Sequence, residues 1–131
     1  MARSRTISHV AMSVPEGTLT DDYRGRVLDF YGEILGWREL VSFRLPDRLT
    51  IGVGPGCYVN VREQPGASAR DPYQHFGVCV RSEQELRDLW DDLDSGHPDV
   101  ELQPISDSGS GQLTFRFQHL LPFAVEVQYF A

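Results

Sequence analysis

Residues 73 to 80 of this chain read Tyr-Gln-His-Phe-Gly-Val-Cys-Val, and residues 7 to 14 read Ile-Ser-His-Val-Ala-Met-Ser-Val. Both stretches place a histidine near the start of an alternation of apolar and small residues, which is typical of a β-strand. The two histidines are 66 positions apart, and a polar residue recurs at the same offset near the end of each half, as Asn60 and Glu126. A fixed period of this kind indicates two copies of one supersecondary unit.

The composition is that of one globular domain. The chain has 131 residues, of which 40% are hydrophobic and 24% charged, which is enough to bury a core. Its net charge of −7 argues against a nucleic-acid partner, which needs clustered cations. All 12 basic residues are arginine, so lysine Schiff-base chemistry is excluded. The sequence shows no signal-peptide pattern and no apolar run long enough to span a membrane, so we expect a cytoplasmic protein without a membrane partner.

Each half of the chain follows the order strand, helix, strand, strand, strand. The pattern predicts an α+β fold of two tandem βαβββ modules, with module one at about 6–62, a linker at 63–73 and module two at about 74–130. The helices are predicted to follow Thr20 and Ser82, where N-cap residues stand, and to end at Gly36 and Gly96. The predicted strands are 6–14, 37–43, 48–53, 57–62, 74–81, 99–103, 112–118 and 123–130, with a polar loop at 106–111.

The parity of the strands places His9, His75 and Glu126 on faces that otherwise carry small or polar residues. A buried carboxylate without a partner is costly, so Glu126 needs a cation, a hydrogen-bond donor or a raised pKa. A divalent metal ion held by these three side chains meets that need and leaves coordination positions open for water or substrate. The alternative is a hydrogen-bonded cluster in which the histidines are ordinary core residues.

The sequence resembles the vicinal oxygen chelate superfamily, which includes glyoxalase I, fosfomycin-resistance proteins, extradiol dioxygenases and bleomycin-resistance proteins. The resemblance rests on four stretches: Ile7-Ser8-His9-Val10, Leu28-Asp29-Phe30-Tyr31-Gly32-Glu33-Ile34-Leu35-Gly36-Trp37, Tyr73-Gln74-His75-Phe76-Gly77 and Val125-Glu126-Val127. It implies curved mixed sheets around a cleft, with ligands to Fe, Mn, Ni or Zn supplied by His9, His75 and Glu126. Asn60 stands at the fourth ligand position, where glyoxalase I has glutamate, and Glu126 is the residue expected to act in catalysis.

Substrate contacts are expected on the polar faces of the middle strands. Arg48, Arg116 and Thr114 are predicted to face the ligand, and Tyr58 to form a wall of its pocket. A cleft arginine suggests an anionic group on a small-molecule ligand. The alternative for both arginines is an exposed position at a strand edge.

Two functions remain open from the sequence. The first is a metal-dependent lyase, isomerase or dioxygenase acting on a small, oxygen-rich substrate. The second is a binding or sequestering protein of the bleomycin-resistance type, without metal. We expect a homodimer in either case, with the site formed within one chain or across two.

Overall fold

The structure, a computed structural model, describes residues 3–71 and 73–131. The chain divides into two compact units between Ala69 and Arg70, which lies inside the predicted linker 63–73. Within that linker, Pro72 lies outside the described residues. Each unit has one helix and one mixed sheet, which confirms the predicted α+β class.

The first unit has the predicted βαβββ order. Its sheet has the strand order β1-β4-β3-β2, with β1 parallel to β4 and the other neighbours antiparallel. Its elements are β1 (His9–Val14), α1 (Asp21–Leu35), β2 (Arg38–Glu39), a 3₁₀ turn (Val41–Phe43), β3 (Arg48–Gly54) and β4 (Cys57–Glu63).

The second unit repeats this order with one additional short strand. Its sheet runs β5-β9-β8-β6, with β7 also paired to β8, and β5 is parallel to β9. Its elements are β5 (His75–Cys79), α2 (Glu83–Gly96), β6 (Glu101–Leu102), β7 (Ser106–Asp107), β8 (Gln112–Gln118) and β9 (Ala124–Phe130).

Both helices begin at the predicted caps. Thr20 Oγ1 accepts a hydrogen bond from the Tyr23 amide, and Ser82 Oγ accepts one from the Glu85 amide. Helix α1 ends at Gly36, whose φ of 71° is a left-handed conformation that favours glycine. Helix α2 includes Gly96 as its last residue and is capped by His97 instead.

Five predicted strands are shorter than expected, and those predicted at 74–81 and 123–130 cover His75–Cys79 and Ala124–Phe130. The strand predicted at 6–14 begins at His9, and the strand predicted at 99–103 covers only Glu101–Leu102. The strand predicted at 37–43 stops at Glu39, because the backbone then turns back on itself over 41–43 through local hydrogen bonds.

The loop predicted at 106–111 also differs from expectation. Ser106–Asp107 forms β7 and pairs with β8, and the remainder is a turn in which the Gly109 amide donates to Asp107 Oδ1.

The pairing register repeats between the units with the sequence offset of 66. His9 pairs with Tyr58 in the first unit and His75 with Ala124 in the second. Likewise Thr50 lies opposite Asn60, just as Arg116 lies opposite Glu126. The histidine and the polar residue of the last strand therefore occupy equivalent positions in both units.

The burial pattern confirms the predicted strand faces. His9, Ala11 and Ser13 are exposed, whereas Met12 and Val14 are buried. The core of the first unit also contains Tyr31 and Trp37, whose rings stack with centroids 5.2 Å apart. The main buried residues of the second unit are Leu86, Leu93, Leu113, Phe115, Phe117, Leu121, Val125 and Val127. No helix among the described residues is long and apolar enough to cross a membrane.

Arg24 fastens helix α1 to the turn that precedes β3. Its side chain is 5% exposed, and its guanidinium donates to the carbonyl oxygens of Leu19, Leu45, Pro46 and Arg48 at 2.7 to 3.2 Å. Arg24 thereby joins the residue that precedes its helix cap to the turn at 45–48, where the Leu45 and Arg48 carbonyls also accept hydrogen bonds from each other's amides. The buried arginine therefore fixes the conformation of the segment that leads into β3.

Replacing Arg24 by methionine should lower the free energy of unfolding by about 2–3 kcal/mol, because the partly buried carbonyl oxygens lose a charged hydrogen-bond donor. Urea denaturation followed by circular dichroism measures the loss. The matched control is Arg26→Met, an exposed residue on the same helix, for which we expect a change within about 0.5 kcal/mol. Equal stabilities for the two variants would contradict this account of Arg24.

Glu63, the last residue of β4, binds through its carboxylate to the loop that leads into α1. Its Oε2 accepts a hydrogen bond from the Leu19 amide at 2.8 Å. The backbone N–H groups of Leu19 and Gly17 lower the pKa of this carboxyl below its ordinary value of 4.5. Because folding lowers this pKa, ionised Glu63 stabilises the folded protein at pH values above the pKa that the carboxyl has in the unfolded chain. The stabilisation is lost as the pH falls through the pKa of the folded protein.

Glu63→Gln should therefore be less stable than the parent at pH 7, and the difference should shrink as the pH falls below about 4.5. Chemical denaturation at a series of pH values measures both effects. Glu16→Gln, an exposed residue in the same loop, serves as the control. A difference from the parent that is independent of pH would show that the carboxylate charge has no role in this contact.

Candidate functional site

A cluster of polar side chains lies on one face of the second sheet. Arg116 on β8 and Glu126 on β9 are directly opposite one another, and His75 on β5 lies beyond β9. Neighbouring strands place residues of matching parity on the same face, so three side chains from different strands come together. The side chain of Glu126 is only 18% exposed, whereas those of His75 and Arg116 are 36% and 42% exposed.

The cluster is held by the guanidinium of Arg116. Its Nη2 lies 3.2 Å from His75 Nε2, and its Nε lies 3.7 Å from Glu126 Oε1. His75 Nε2 and Glu126 Oε2 are 3.7 Å apart, and the Gln128 amide donates to Glu126 Oε2 at 3.4 Å. A guanidinium has donors only, so His75 Nε2 accepts this hydrogen bond and directs its lone pair at Arg116.

Space beside the cluster is kept by a glycine. Gly77 lies opposite Glu126 on the parallel strand. A Cβ atom at this position would lie 3.3 Å from Gln128 Oε1, which is tighter than an ordinary contact. The small residue therefore allows Gln128 to reach the carboxylate of Glu126.

The equivalent position in the first unit carries no formal charge. His9 stacks on Tyr58 with ring centroids 4.8 Å apart and an interplanar angle of 4°. Its Nδ1 is 2.8 Å from Ser8 Oγ. Thr50 Oγ1 donates to Asn60 Oδ1 at 3.2 Å, where the second unit has the Arg116–Glu126 pair. The first unit therefore presents an imidazole, a phenol and an amide.

A cavity of about 140 Å³ adjoins these residues in the first unit. Arg48 and Tyr58, both predicted to contact substrate, line it, and Arg48 donates from Nε and Nη2 to the Phe43 carbonyl. The complete lining is Leu40, Phe43, Arg48, Thr50, Tyr58 and Asn60. The cavity thus combines an arginine and short polar groups with an apolar side.

Sequence reasoning did not find Leu40 and Phe43, because both fall in the segment that was predicted as a strand at 37–43. It did place Arg48 and Tyr58 in a pocket. Thr114 pairs with Gln128 and Ser106 in the second sheet and is half-buried there.

The predicted metal ligands are divided between the units. His9 and Asn60 belong to the first unit, and His75 and Glu126 belong to the second. Among residues 3–71 and 73–131, no three His, Cys, Asp or Glu side chains form a group that could hold a metal ion. His75 Nε2 and Glu126 Oε2, 3.7 Å apart, fit as a pair of ligands, since two donors at about 2.0–2.2 Å from one tetrahedral zinc ion are about 3.3–3.6 Å apart.

Similarity to known proteins is found among solved structures. No protein-family model matches the sequence, and no curated protein is similar to it. Among solved structures, it is similar to a glyoxylase/bleomycin resistance protein/dioxygenase domain from Frankia sp. EAN1pec, with 23% identity, a TM-score of 0.70, and 98% of this chain and 100% of that chain covered.

Two further structures have the same fold. The fosfomycin resistance protein FosX from Listeria monocytogenes has 15% identity and a TM-score of 0.69, and lactoylglutathione lyase from Agrobacterium tumefaciens has 13% identity and a TM-score of 0.70. Both alignments cover 98% of this chain and 96% of the other. The chain therefore has the fold of these three structures, which is the fold that the sequence resemblance implied.

Proposed function

We propose that this chain is a metal-dependent enzyme of the vicinal oxygen chelate type that acts on a small, oxygen-rich, anionic substrate. A divalent ion of Fe, Mn, Ni or Zn is held by His9, His75 and Glu126, with Asn60 as a fourth, neutral oxygen donor. The observation that carries this proposal is the pair formed by His75 Nε2 and Glu126 Oε2, 3.7 Å apart on one sheet face.

The donor types suit such an ion. Two imidazoles and one carboxylate are a ligand set for zinc, iron or nickel, and they leave positions for substrate oxygens. An ion bound in this way polarises a carbonyl or phosphoryl oxygen and stabilises the negative charge that develops on it. Glu126 supplies the only carboxylate of the set, and Gln128 orients it through the hydrogen bond to Oε2.

The cavity of the first unit is proposed to take one end of the substrate. Its volume of about 140 Å³ is below the range of about 300–1,000 Å³ that is usual for drug-sized ligands, so it suits a small group. Arg48 supplies the charge for a carboxylate, phosphate or phosphonate, and Tyr58 supplies a hydroxyl group. Leu40 and Phe43 form the apolar side of the cavity.

A second function is favoured by one observation. The guanidinium of Arg116 already contacts His75 and lies 3.7 Å from Glu126, so the cluster has an internal counter-charge without a metal. In this second function the chain is a metal-free protein that binds and sequesters a small anion through its arginines. Metal analysis separates the two functions, because only the enzyme needs a bound ion.

Protein purified without chelator should contain stoichiometric metal. Glu126→Gln removes a proposed ligand and should lower the affinity for added Mn(II), Ni(II) or Zn(II) by more than about 100-fold. Substitution of residues that only hydrogen-bond to metal ligands already lowers metal affinity by about 10–100-fold. Elemental analysis and calorimetric titration measure the two quantities, and circular dichroism shows that the variant is folded.

The matched control is Glu101→Gln. Glu101 is an exposed carboxylate in the same sheet that pairs with Arg70 at 2.6 Å, so its loss should leave the affinity for metal unchanged. Parent protein without metal and without affinity for any of the three ions would refute the metal-dependent function in favour of the second one. Unchanged metal binding by Glu126→Gln would refute the assignment of this ligand.

The anion site has its own test. Acetate, pyruvate and methylphosphonate should raise the melting temperature of the parent protein, and Arg48→Gln should abolish the increase because the cavity loses its charge. Differential scanning fluorimetry over a range of anion concentrations measures the effect. Arg26→Gln, on the exposed face of α1, should respond like the parent, whereas an equal response from Arg48→Gln would exclude this cavity as the anion site.

A further inference from the structure

Arg116 and a metal ion would use the same atom of His75. The guanidinium Nη2 is 3.2 Å from His75 Nε2, and this nitrogen accepts because guanidinium nitrogens only donate. An imidazole nitrogen has a single lone pair in the ring plane. His75 Nε2 can therefore bind Arg116 or a metal ion, but it cannot bind both.

Arg116 is also matched to the charge of Glu126. The two residues are directly opposite on neighbouring strands, as are Thr50 and Asn60 at the equivalent positions of the first unit. In the first unit the amide of Asn60 lies opposite the hydroxyl of Thr50. In the second unit the carboxylate of Glu126 lies opposite the guanidinium of Arg116. This correspondence identifies Arg116 as the counter-charge of Glu126.

The side chain of Arg116 has room to leave the cluster. It is 42% exposed, whereas that of Glu126 is 18% exposed, and its contact to Glu126 through Nε is long at 3.7 Å. An arginine side chain of this exposure can turn toward solvent without breaking a packed core. The carboxylate, in contrast, is fixed by its strand and by Gln128.

We propose that Arg116 is the resident cation of the metal-free site: it holds His75 and Glu126 together, and it must turn away before a divalent ion can bind. This inference rests on the proposed metal-dependent function. Arg116 therefore lowers the affinity for metal and acts as a specificity-determining residue, because only an ion that binds strongly enough to displace it can load the site. Once displaced, its guanidinium is free to bind an anionic substrate.

The test uses chelator-treated full-length protein and Zn(II) or Mn(II) as the probe. Calorimetric titration should show tighter binding by Arg116→Gln, by about tenfold or more, the size typical of changes beside a metal site. Arg70→Gln removes an arginine of the same unit that pairs with Glu101, and it should bind like the parent.

Arg116→Lys separates the contact from the charge. A lysine keeps the charge but loses the planar, multi-donor group. This variant should also bind metal more tightly than the parent if the guanidinium contact to His75 is what competes. An affinity equal to that of the parent would show that only long-range repulsion acts, and would overturn the proposal.

A second readout follows the arginine itself. The Nη2–H signals of Arg116, which belong to the nitrogen that contacts His75 Nε2, are assigned by their absence in Arg116→Gln and should shift when Zn(II) is added. A signal that does not respond to Zn(II) would overturn the displacement. The metal-dependent function would stand in that case, provided that the parent protein binds the ion.

The remaining outcomes separate the two proposals. Metal binding by Arg116→Gln but not by the parent would support the competition and refute metal dependence in the parent protein. Absence of metal binding in both proteins would refute both proposals. Equal affinities of the parent and Arg116→Gln would refute the role of Arg116 alone.

Discussion

The parallel pairing of the first strand with the last strand of each unit is the constraint on which the site depends. It places His75 beside Ala124 and Gly77 beside Glu126, so the histidine and the carboxylate project from one face of the sheet. A slip of one residue in this pairing would turn every side chain of the strand to the opposite face. The register is in turn fixed by the apolar residues between them, since Val125 and Val127 are fully buried on the other face.

The two units show how one backbone arrangement carries two kinds of chemistry. At equivalent positions the first unit has His9, Thr50 and Asn60, and the second has the Arg116 cluster. The first unit is neutral there and adjoins a small cavity, whereas the second carries the charged groups. Identical strand register therefore does not produce identical sites, because the difference lies in a few side chains on one face.

Much of the fold could be predicted because it is encoded locally. The offset of 66 between His9 and His75, the strand alternation and the capping residues Thr20 and Ser82 are all visible in the sequence. The cross-strand partner of Glu126 could also be predicted from the repeat. Thr50 lies opposite Asn60, and the offset of 66 relates these two residues to Arg116 and Glu126. What the sequence does not encode in any period is the turn at 41–43, which is held by local backbone hydrogen bonds, or the contacts of Arg24 with carbonyl groups of the following segment 45–48, which lie 21 to 24 residues away.

The candidate site was predictable to a smaller extent, because only part of it follows from the alternation of side chains within single strands. Parity within a strand assigned His75 and Glu126 to one face, and the structure brings their donor atoms to 3.7 Å. The contact from Arg116 to His75 was not expected, because it crosses β9 to a strand that is not its hydrogen-bonded neighbour. Whether His9 joins His75 and Glu126 remains a prediction, since it depends on packing between units, which the periodicity of single strands does not encode.

The balance of formal charge links the proposed ion to the proposed substrate. Asn60 is neutral, so the predicted ligand set carries a single negative charge, on Glu126. A divalent ion would leave one positive charge uncompensated, and Arg116 would add a second as soon as it lost its contact with the carboxylate. Excess positive charge in a partly buried site is costly unless an anion enters. A substrate with a carboxylate or phosphonate group would supply that anion, and its binding would favour the same state of Arg116 that metal binding requires.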